Sequence, residues 1–307
     1  MPAKGSSEHD AAGNSAALLP PGQSGASAQR RAPIVLTIAG SDSGAGAGIQ
    51  ADLKTFAALG IYGASAITAI TAQNTQRVTQ VLELSPEIVA AQIDAVVEDM
   101  PVAVVKTGML GSAEVVKIVA AKVREHGLQP LVVDPVMVAT SGDRLLPEEA
   151  VLTLREELLP LAAVLTPNVP EAEALLGRPL ASWDDLRAGA EELATMGAGA
   201  VVITGGHREG PATDLLYDGH EFREYTAHRV DTEHTHGTGC TFASAIAAAL
   251  AKGSDVRGAV AMAKAYVTRA LQSAYAVGEG HGPVHHFFRY WQPRVYEEGE
   301  TTVGTGL

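Results

Sequence analysis

Between Pro33 and Ala276, short apolar runs alternate with stretches of helical periodicity, and this alternation constrains the fold more than anything else in the chain. The runs are PIVLTIA from Pro33, YGASAITAITA from Tyr62, VAVVK from Val102, LVVDP from Leu131, AVLTPN from Ala163 and AVVIT from Ala200. Helices are expected from Ile49 to Leu59, near 112–125, around 147–158, from Glu171, from Trp183 to Met196, and from Gly258 to Ala276. Another opens at Ser85-Pro86, as N-cap and first-turn proline, with Val89, Ile93, Val96 and Val97 as its buried face. Ser182-x-x-Asp185 makes a capping-box pattern. Leu215 to Tyr225 reads as a hairpin turning at Asp218-Gly219. Strands alternating with helices imply βαβ units and an α/β fold with a central, mostly parallel sheet. Strands apolar on both faces imply helices on both sides.

The strand ends carry the polar residues. Asp42, Gln73-Asn74, Lys106, Asp134, Asn168 and Gly205-Gly206 follow their apolar runs directly. In a parallel sheet these ends lie along one edge, where such folds bind ligands. A chain that collects its polar residues there reads as an enzyme with one crevice.

The stretch HGTGCT, His236 to Thr241, precedes the most one-sided helical pattern, with Phe242, Ala245, Ile246, Ala249 and Leu250 at helical spacing. Gly237 and Gly239 let the backbone turn sharply and leave it uncovered. The N–H groups of such a turn have no intrahelical partner. With the helix dipole they make a site for an anion, typically a phosphate. Cys240 sits at that positive end, which favours the thiolate over a free thiol of pKa about 8.5. The residues alone leave two readings: an anion cradle with a nucleophile or base, or the start of a helix with a buried cysteine.

Composition narrows the function classes. The 307 residues can hold one large α/β domain, and a hydrophobic fraction of 46% supplies a sizeable core. A net charge of -13 without a Lys/Arg-rich run argues against nucleic acid as a partner. No stretch is long and apolar enough for a membrane span. Leu18-Leu19 is the only apolar cluster near the N-terminus beyond alanines, so a secretory signal is not expected. The single cysteine cannot form an internal disulfide, which fits a cytoplasmic location. Residues 1–32, rich in Ala, Gly and Ser, are expected to be a disordered tail, 33–293 a single domain, and 294–307 a C-terminal tail.

Several common chemistries drop out. Gly46-Ala47-Gly48-Ile49-Gln50-Ala51 fits the dinucleotide pattern GxGxxG/A, but no Asp or Glu lies between Asp52 and Glu83 to hold a ribose. No GKS or GKT follows a glycine loop, and GxSxG is absent. His234, His236, His281, His285 and His286 lack Cys or carboxylate partners at zinc-like spacing and read as structural. Asp134 and Glu171 remain as Mg²⁺ partners, directly or through water. Mg²⁺ keeps several waters and takes one or two carboxylates plus substrate phosphates. Either residue alone also fits an ordinary cap or surface acid.

The ordered motifs resemble the ribokinase-like superfamily, and within it the hydroxymethylpyrimidine/phosphomethylpyrimidine kinases of thiamine biosynthesis. They are LTIAGSDSGAGAGIQADLKTF from Leu36, ITAQNT from Ile70, KTGML from Lys106, VVDPVMVATSGDRLL from Val132, LTPNVPEAEALLG from Leu165, GGH at 205–207, HGTGCT, and GPVHHF from Gly282. The resemblance implies a ribokinase-like fold and ATP-dependent phosphorylation of 4-amino-5-hydroxymethyl-2-methylpyrimidine, then of its monophosphate. It implies that Gln73 hydrogen-bonds the aminopyrimidine, its amide offering donor and acceptor together. Ala47, Met109 and Val136 then line the substrate pocket. Asn168, Thr204 and Gly206 meet ATP, and Asp134 and Glu171 handle Mg²⁺. Gly237, Thr238, Gly239 and Cys240 form the anion hole, with Cys240 as general base. A homodimer is the family expectation.

Two departures stand out. Thr204 occupies a place where many members carry lysine, and Ser43-Gly44-Ala45 stands where Pro-Ser-Gly is common. Two other readings compete: a pyridoxal kinase of the same cysteine-bearing branch, and a non-catalytic binding protein on the same fold.

Overall fold

The computed structural model describes Met1 and residues 31–138, 145–206 and 210–291. The tails expected at 1–32 and 294–307 fall outside these, Met1, Arg31 and Ala32 aside. From Ala32 on, the described residues form one compact unit.

At its centre lies a sheet of nine strands among the described residues: β1 (Ile34–Asp42), β2 (Tyr62–Gln73), β3 (Val78–Glu83), β4 (Val102–Thr107), β5 (Leu131–Val133), β6 (Val164–Leu165), β7 (Val201–Ile203), β8 (Ala212–Tyr217) and β9 (Phe222–Ala227). Their order is β3-β2-β1-β4-β5-β6-β7-β8-β9. The six strands from β2 to β7 pair in parallel. β3 and the expected hairpin β8–β9 add antiparallel edges.

The helices are α1 (Gly48–Ala58), α2 (Pro86–Asp99), α3 (Ala113–Glu125), α4 (Glu148–Thr153), α5 (Val169–Leu176), α6 (Trp183–Thr195), α7 (Thr238–Ala251) and α8 (Val256–Gln272). They divide between two cores because alternate strand residues face opposite ways. Leu36, Val105, Leu131, Val133, Leu165 and Ile203 pack with buried residues of α3 to α6. Val35, Val104, Val132, Val164 and Val202 pack with α7 and α8. Burying each large aliphatic side chain contributes about 1.5–3 kcal/mol.

Local chemistry explains most boundaries. Ser182 and Asp185 exchange the two bonds of the expected capping box at α6. Pro86 opens α2, but Ser85 makes no side-chain cap there. Val89 and Ile93 of α2 are buried, with Val96 and Val97 packed partly against the same core. The helix expected over 147–158 divides. Only α4 is α-helical, and a π turn (Leu154–Leu158) and a 3-10 turn (Leu159–Leu161) follow. The wider turn lets Leu154, Leu158 and Leu159 all reach the core. The last helix begins at Val256, two residues before Gly258, because Asp255 caps it through Gly258 N. No helix among the described residues is long and apolar enough to cross a membrane.

The chain leaves β1 for β2 on one side and later places β4 on the other side of β1. A crevice opens beyond the C-terminal ends of the strands at such a reversal.

Candidate active site

A cavity of about 900 Å³ occupies that crevice. All thirteen site residues expected from the sequence line it: Ala47, Gln73, Met109, Asp134, Val136, Asn168, Glu171, Thr204, Gly206, Gly237, Thr238, Gly239 and Cys240. They come from the ends of five strands (β2, β4, β5, β6 and β7), the loop between β1 and α1, and the start of α7.

The loop before α1 is organised by Asp42. Its carboxylate accepts from the amides of Gly44 (2.8 Å), Gly46 (3.0 Å) and Ala47 (2.9 Å). His236 Nε2 approaches the same carboxylate at 2.9 Å. Burial alone would raise the Asp42 pKa, but His236 and the loop amides outweigh it and hold the carboxyl below its usual range. Ala45 adopts φ 61, a conformation that costs an L-residue about 1–2 kcal/mol.

Gly237 caps α7 at φ 76, and a Cβ there would lie 1.9 Å from Gly46 O. The loop before α1 and the start of α7 therefore touch backbone to backbone. Thr238 N donates back to Thr235 O, so the amides of Gly239 and Cys240 are the first-turn donors left to serve an anion. A Cβ on Gly239 would meet nothing within 4 Å, so the space above the turn is open.

Below this cradle lies a charge network that sequence reasoning missed. Lys106 is the penultimate residue of β4 and is fully buried. Its Nζ lies 3.0 Å from both oxygens of Asp52, which also accepts from Thr37 Oγ1 and Ser244 Oγ, each at 2.6 Å. Burial would lower the Lys106 pKa, but Asp52, Cys240 and Asp134 together hold it well above the usual range. Lys106 was legible as the polar end of a valine run, but its pairing with Asp52, an aspartate on the buried face of α1, was not.

Asp134 Oδ2 is buried without a hydrogen-bond partner, 3.8 Å from Lys106 Nζ. Burial pushes its carboxyl up to about 6 against the pull of Lys106. Glu171 is pushed up to about 8 by burial and by the charge of Asp134. Its carboxylate also accepts from Asn168 N (2.9 Å), while Asn168 Oδ1 accepts from Glu171 N (2.9 Å). Asn168 thus spends its oxygen on capping α5 and has its amide nitrogen to offer a phosphate. Two buried carboxyls with raised pKa values, one with an orphaned oxygen, fit a divalent cation that brings its own waters and phosphates. No group of three or more protein ligands occurs among the described residues, so a cage made wholly of protein is not what the site offers.

Cys240 corrects one expectation. It is half-buried at the start of α7, but close packing pushes its thiol up to about 12, with Lys106 as the main opposing influence. Desolvation outweighs the helix dipole here and favours the thiol over the thiolate. At the other end, Lys264 Nζ pairs with Asp214 at 2.9 Å, and Asp214 also accepts from Gly205 N. Both line the cavity with Thr204 and Gly206 and were also missed.

Comparison with known proteins gives this geometry a lineage. The family profile described as phosphomethylpyrimidine kinase matches residues 42–285. The chain is 54% identical over 263 residues to a hydroxymethylpyrimidine/phosphomethylpyrimidine kinase of Rhizobium meliloti, covering 84% of this chain and 98% of that one. It is 51% identical over 254 residues to the Bacillus subtilis protein of the same name, covering 82% and 94%. Among solved structures, a phosphomethylpyrimidine kinase of Clostridium difficile matches with TM-score 0.70 and 44% identity, covering 78% of this chain and 99% of that one. An ADP complex of Bacillus subtilis pyridoxal kinase matches with TM-score 0.78 and 39% identity, covering 83% and 98%. These neighbours bear out the ribokinase-like fold. Matched over most of its length by the family profile and by these relatives, this protein belongs to the phosphomethylpyrimidine kinase family and is a phosphotransferase.

Proposed function

We propose that the chain transfers the γ-phosphoryl group of ATP to the hydroxymethyl oxygen of 4-amino-5-hydroxymethyl-2-methylpyrimidine, and then a second group to the resulting monophosphate. The observation that carries this is the position of Gln73. It ends β2 at an irregularity in the β2–β3 register and shares the cavity with Met109, Ala47 and Val136 and with the amides of Gly239 and Cys240. A small planar ring held by Gln73 puts its hydroxymethyl arm toward the helix start, where a phosphoryl group is stabilised.

Phosphoryl transfer needs positioning and charge compensation more than covalent help. ATP lies toward Asn168, Thr204 and Gly206. Lys264, held by Asp214, supplies a cation there, although Thr204 replaces the lysine common at that place. Asp134, with Glu171 through water, would hold Mg²⁺, which offsets the negative charge of the phosphates when bound. The amides of Gly239 and Cys240 meet the moving group. Cys240 acts as base only as the thiolate. Its own proton must first leave to solvent, a loss that the cation of buried Lys106 favours. The thiolate then takes the hydroxymethyl proton as the new O–P bond forms and the γ-phosphoryl group leaves ADP. The same reading carries the cytoplasmic location and the homodimer.

Product analysis by ³¹P NMR, with ATP, Mg²⁺ and the hydroxymethylpyrimidine, tests the proposal. Monophosphate followed by diphosphate supports it, and ATP left unconsumed refutes it. Cys240→Ala is expected to lower kcat of the first step about 100-fold or more. The second step should suffer far less, because its acceptor oxygen is already anionic. Equal losses in both steps would exclude the base role.

The second reading is a pyridoxal kinase. It draws on the likeness to the Bacillus subtilis enzyme and to a Staphylococcus aureus pyridoxal kinase solved with AMP-PCP and pyridoxal, at TM-score 0.76.

A further inference from the structure

His236 was expected to be structural, but it lines the cavity with one ring nitrogen shared between two partners. Nε2 lies 2.9 Å from Asp42 Oδ2 and 3.3 Å from the amide of Gln73. Asp42 is a carboxylate, because the loop amides and His236 hold its pKa low. A carboxylate oxygen facing a ring nitrogen at 2.9 Å requires a proton on that nitrogen. Nε2 of His236 is therefore a donor and has no lone pair to offer Gln73.

This decides which way the Gln73 amide points. With its nitrogen toward His236, an N–H would face an N–H. At the other end, Thr71 Oγ1 lies 3.1 Å from Gln73 and 3.0 Å from Ser41 O. Thr71 has one hydroxyl proton, and donating it to the Ser41 carbonyl leaves its oxygen as an acceptor. The amide turned the other way removes the donor–donor clash, its oxygen sharing the single Nε2 proton with Asp42 Oδ2. Its oxygen accepts from His236 Nε2–H, and its nitrogen donates to Thr71 Oγ1. The two orientations have the same shape, so the hydrogen-bond partners choose between them.

We infer that His236, held by Asp42, fixes the amide orientation of Gln73 and so acts as a specificity-determining positioning residue for the aminopyrimidine. Oriented this way, Gln73 has one oxygen lone pair and one N–H remaining to face the cavity, in a fixed order. An exocyclic amine beside a ring nitrogen presents a donor and an acceptor in the complementary order. A ring without that amine gains nothing from the order. Reversing the amide would set donor against donor and acceptor against acceptor, which leaves polar groups unpaired. The backbone of Gln73 is fixed independently, since Ser43 Oγ both donates to Gln73 O and accepts from Gln73 N, each at 2.8 Å. The inference rests on the reading that Gln73 binds the pyrimidine, and the test separates the two.

His236→Phe keeps a ring against Gly46, where a Cβ would lie 2.1 Å from His236 Cδ2, but removes the donor. The expected result is a KM for the hydroxymethylpyrimidine raised about 10-fold or more, with kcat and the KM for ATP within about threefold. In a Gln73→Ala background the same substitution is expected to add less than about threefold, because His236 acts through Gln73. Additive effects of the two substitutions, or a fall in kcat at constant KM, would overturn the proposal and assign His236 to the support of α7. If Gln73→Ala leaves the pyrimidine KM unchanged, the reading of Gln73 itself fails and takes the proposal with it. Long-range ¹H–¹⁵N spectra of the wild-type protein decide the point without any variant. A proton on Nε2 of His236 is expected, and a bare Nε2 would refute the assignment.

Discussion

Gly237 and Gly239 are two residues apart and carry opposite constraints. Gly237 has positive φ and no room for a Cβ beside Gly46 O. Gly237→Ala is therefore expected to destabilise the fold by more than about 2 kcal/mol, seen as a lower midpoint in urea. Gly239 has helical geometry and open space where a Cβ would go. Gly239→Ala should fold with unchanged or slightly greater stability, since alanine is favoured over glycine in a helix by up to about 1 kcal/mol. Its kcat is expected to fall about 100-fold, because the methyl group stands where the phosphoryl group must approach the amides. A folded Gly239→Ala enzyme with full activity would remove the anion cradle from the account. The carboxyls beside the cradle make a separate prediction. Asp134 and Glu171 have folded pKa values of about 6 and about 8, above the unfolded carboxylate range near 4. The folded metal-free protein thus holds protons that the unfolded chain has released. Their stabilising contribution is complete below about pH 4 and is lost as pH rises through 6 and 8. Glu171→Gln lacks the share due to Glu171. Its Tm without Mg²⁺ should gain on the wild type between about pH 4 and 8 and level off above, and a constant difference would contradict the assignment.

At the scale of elements, the sheet and most helices were legible because local patterns sufficed. The valine runs, the Ser182–Asp185 box and the Asp218-Gly219 turn each act within a few residues. β3 was not legible, since it lies on an edge, pairs only with β2 and leaves Val81 and Leu82 exposed, so its burial has no period of two. The split of the 147–158 helix was hidden too, because leucine spacing fits a π turn as readily as an α turn. The Asp52–Lys106 pair was hidden for another reason. Its partners lie 54 positions apart, on α1 and β4, and only the folded chain brings them together. The pair joins β1, α1, β4 and α7 through Thr37, Asp52, Lys106 and Ser244. Lys106→Met removes one partner and leaves Asp52 charged in the core. It is expected to cost about 3–5 kcal/mol in chemical denaturation, while Asp52→Asn with Lys106→Met should recover part of that loss.

Across the whole molecule, the site residues read from the sequence all meet in one cavity because the topology requires it. Parallel strands deliver their C-terminal ends to one edge, so residues at the ends of five separate strands converge without any local signal. What the sequence could not display were pairings between residues far apart in the chain at that edge: His236 between Asp42 and Gln73, and Lys264 on Asp214. These pairings bear on which ring is chosen and how the nucleotide charge is met. The most direct test of the account is therefore a comparison of kcat/KM for hydroxymethylpyrimidine, its monophosphate and pyridoxal, measured as ATP consumption with Mg²⁺ on the wild-type protein. The account predicts turnover of both pyrimidines, with pyridoxal poorer by about 100-fold or more. Turnover of pyridoxal at or above the rate of the pyrimidines would contradict it.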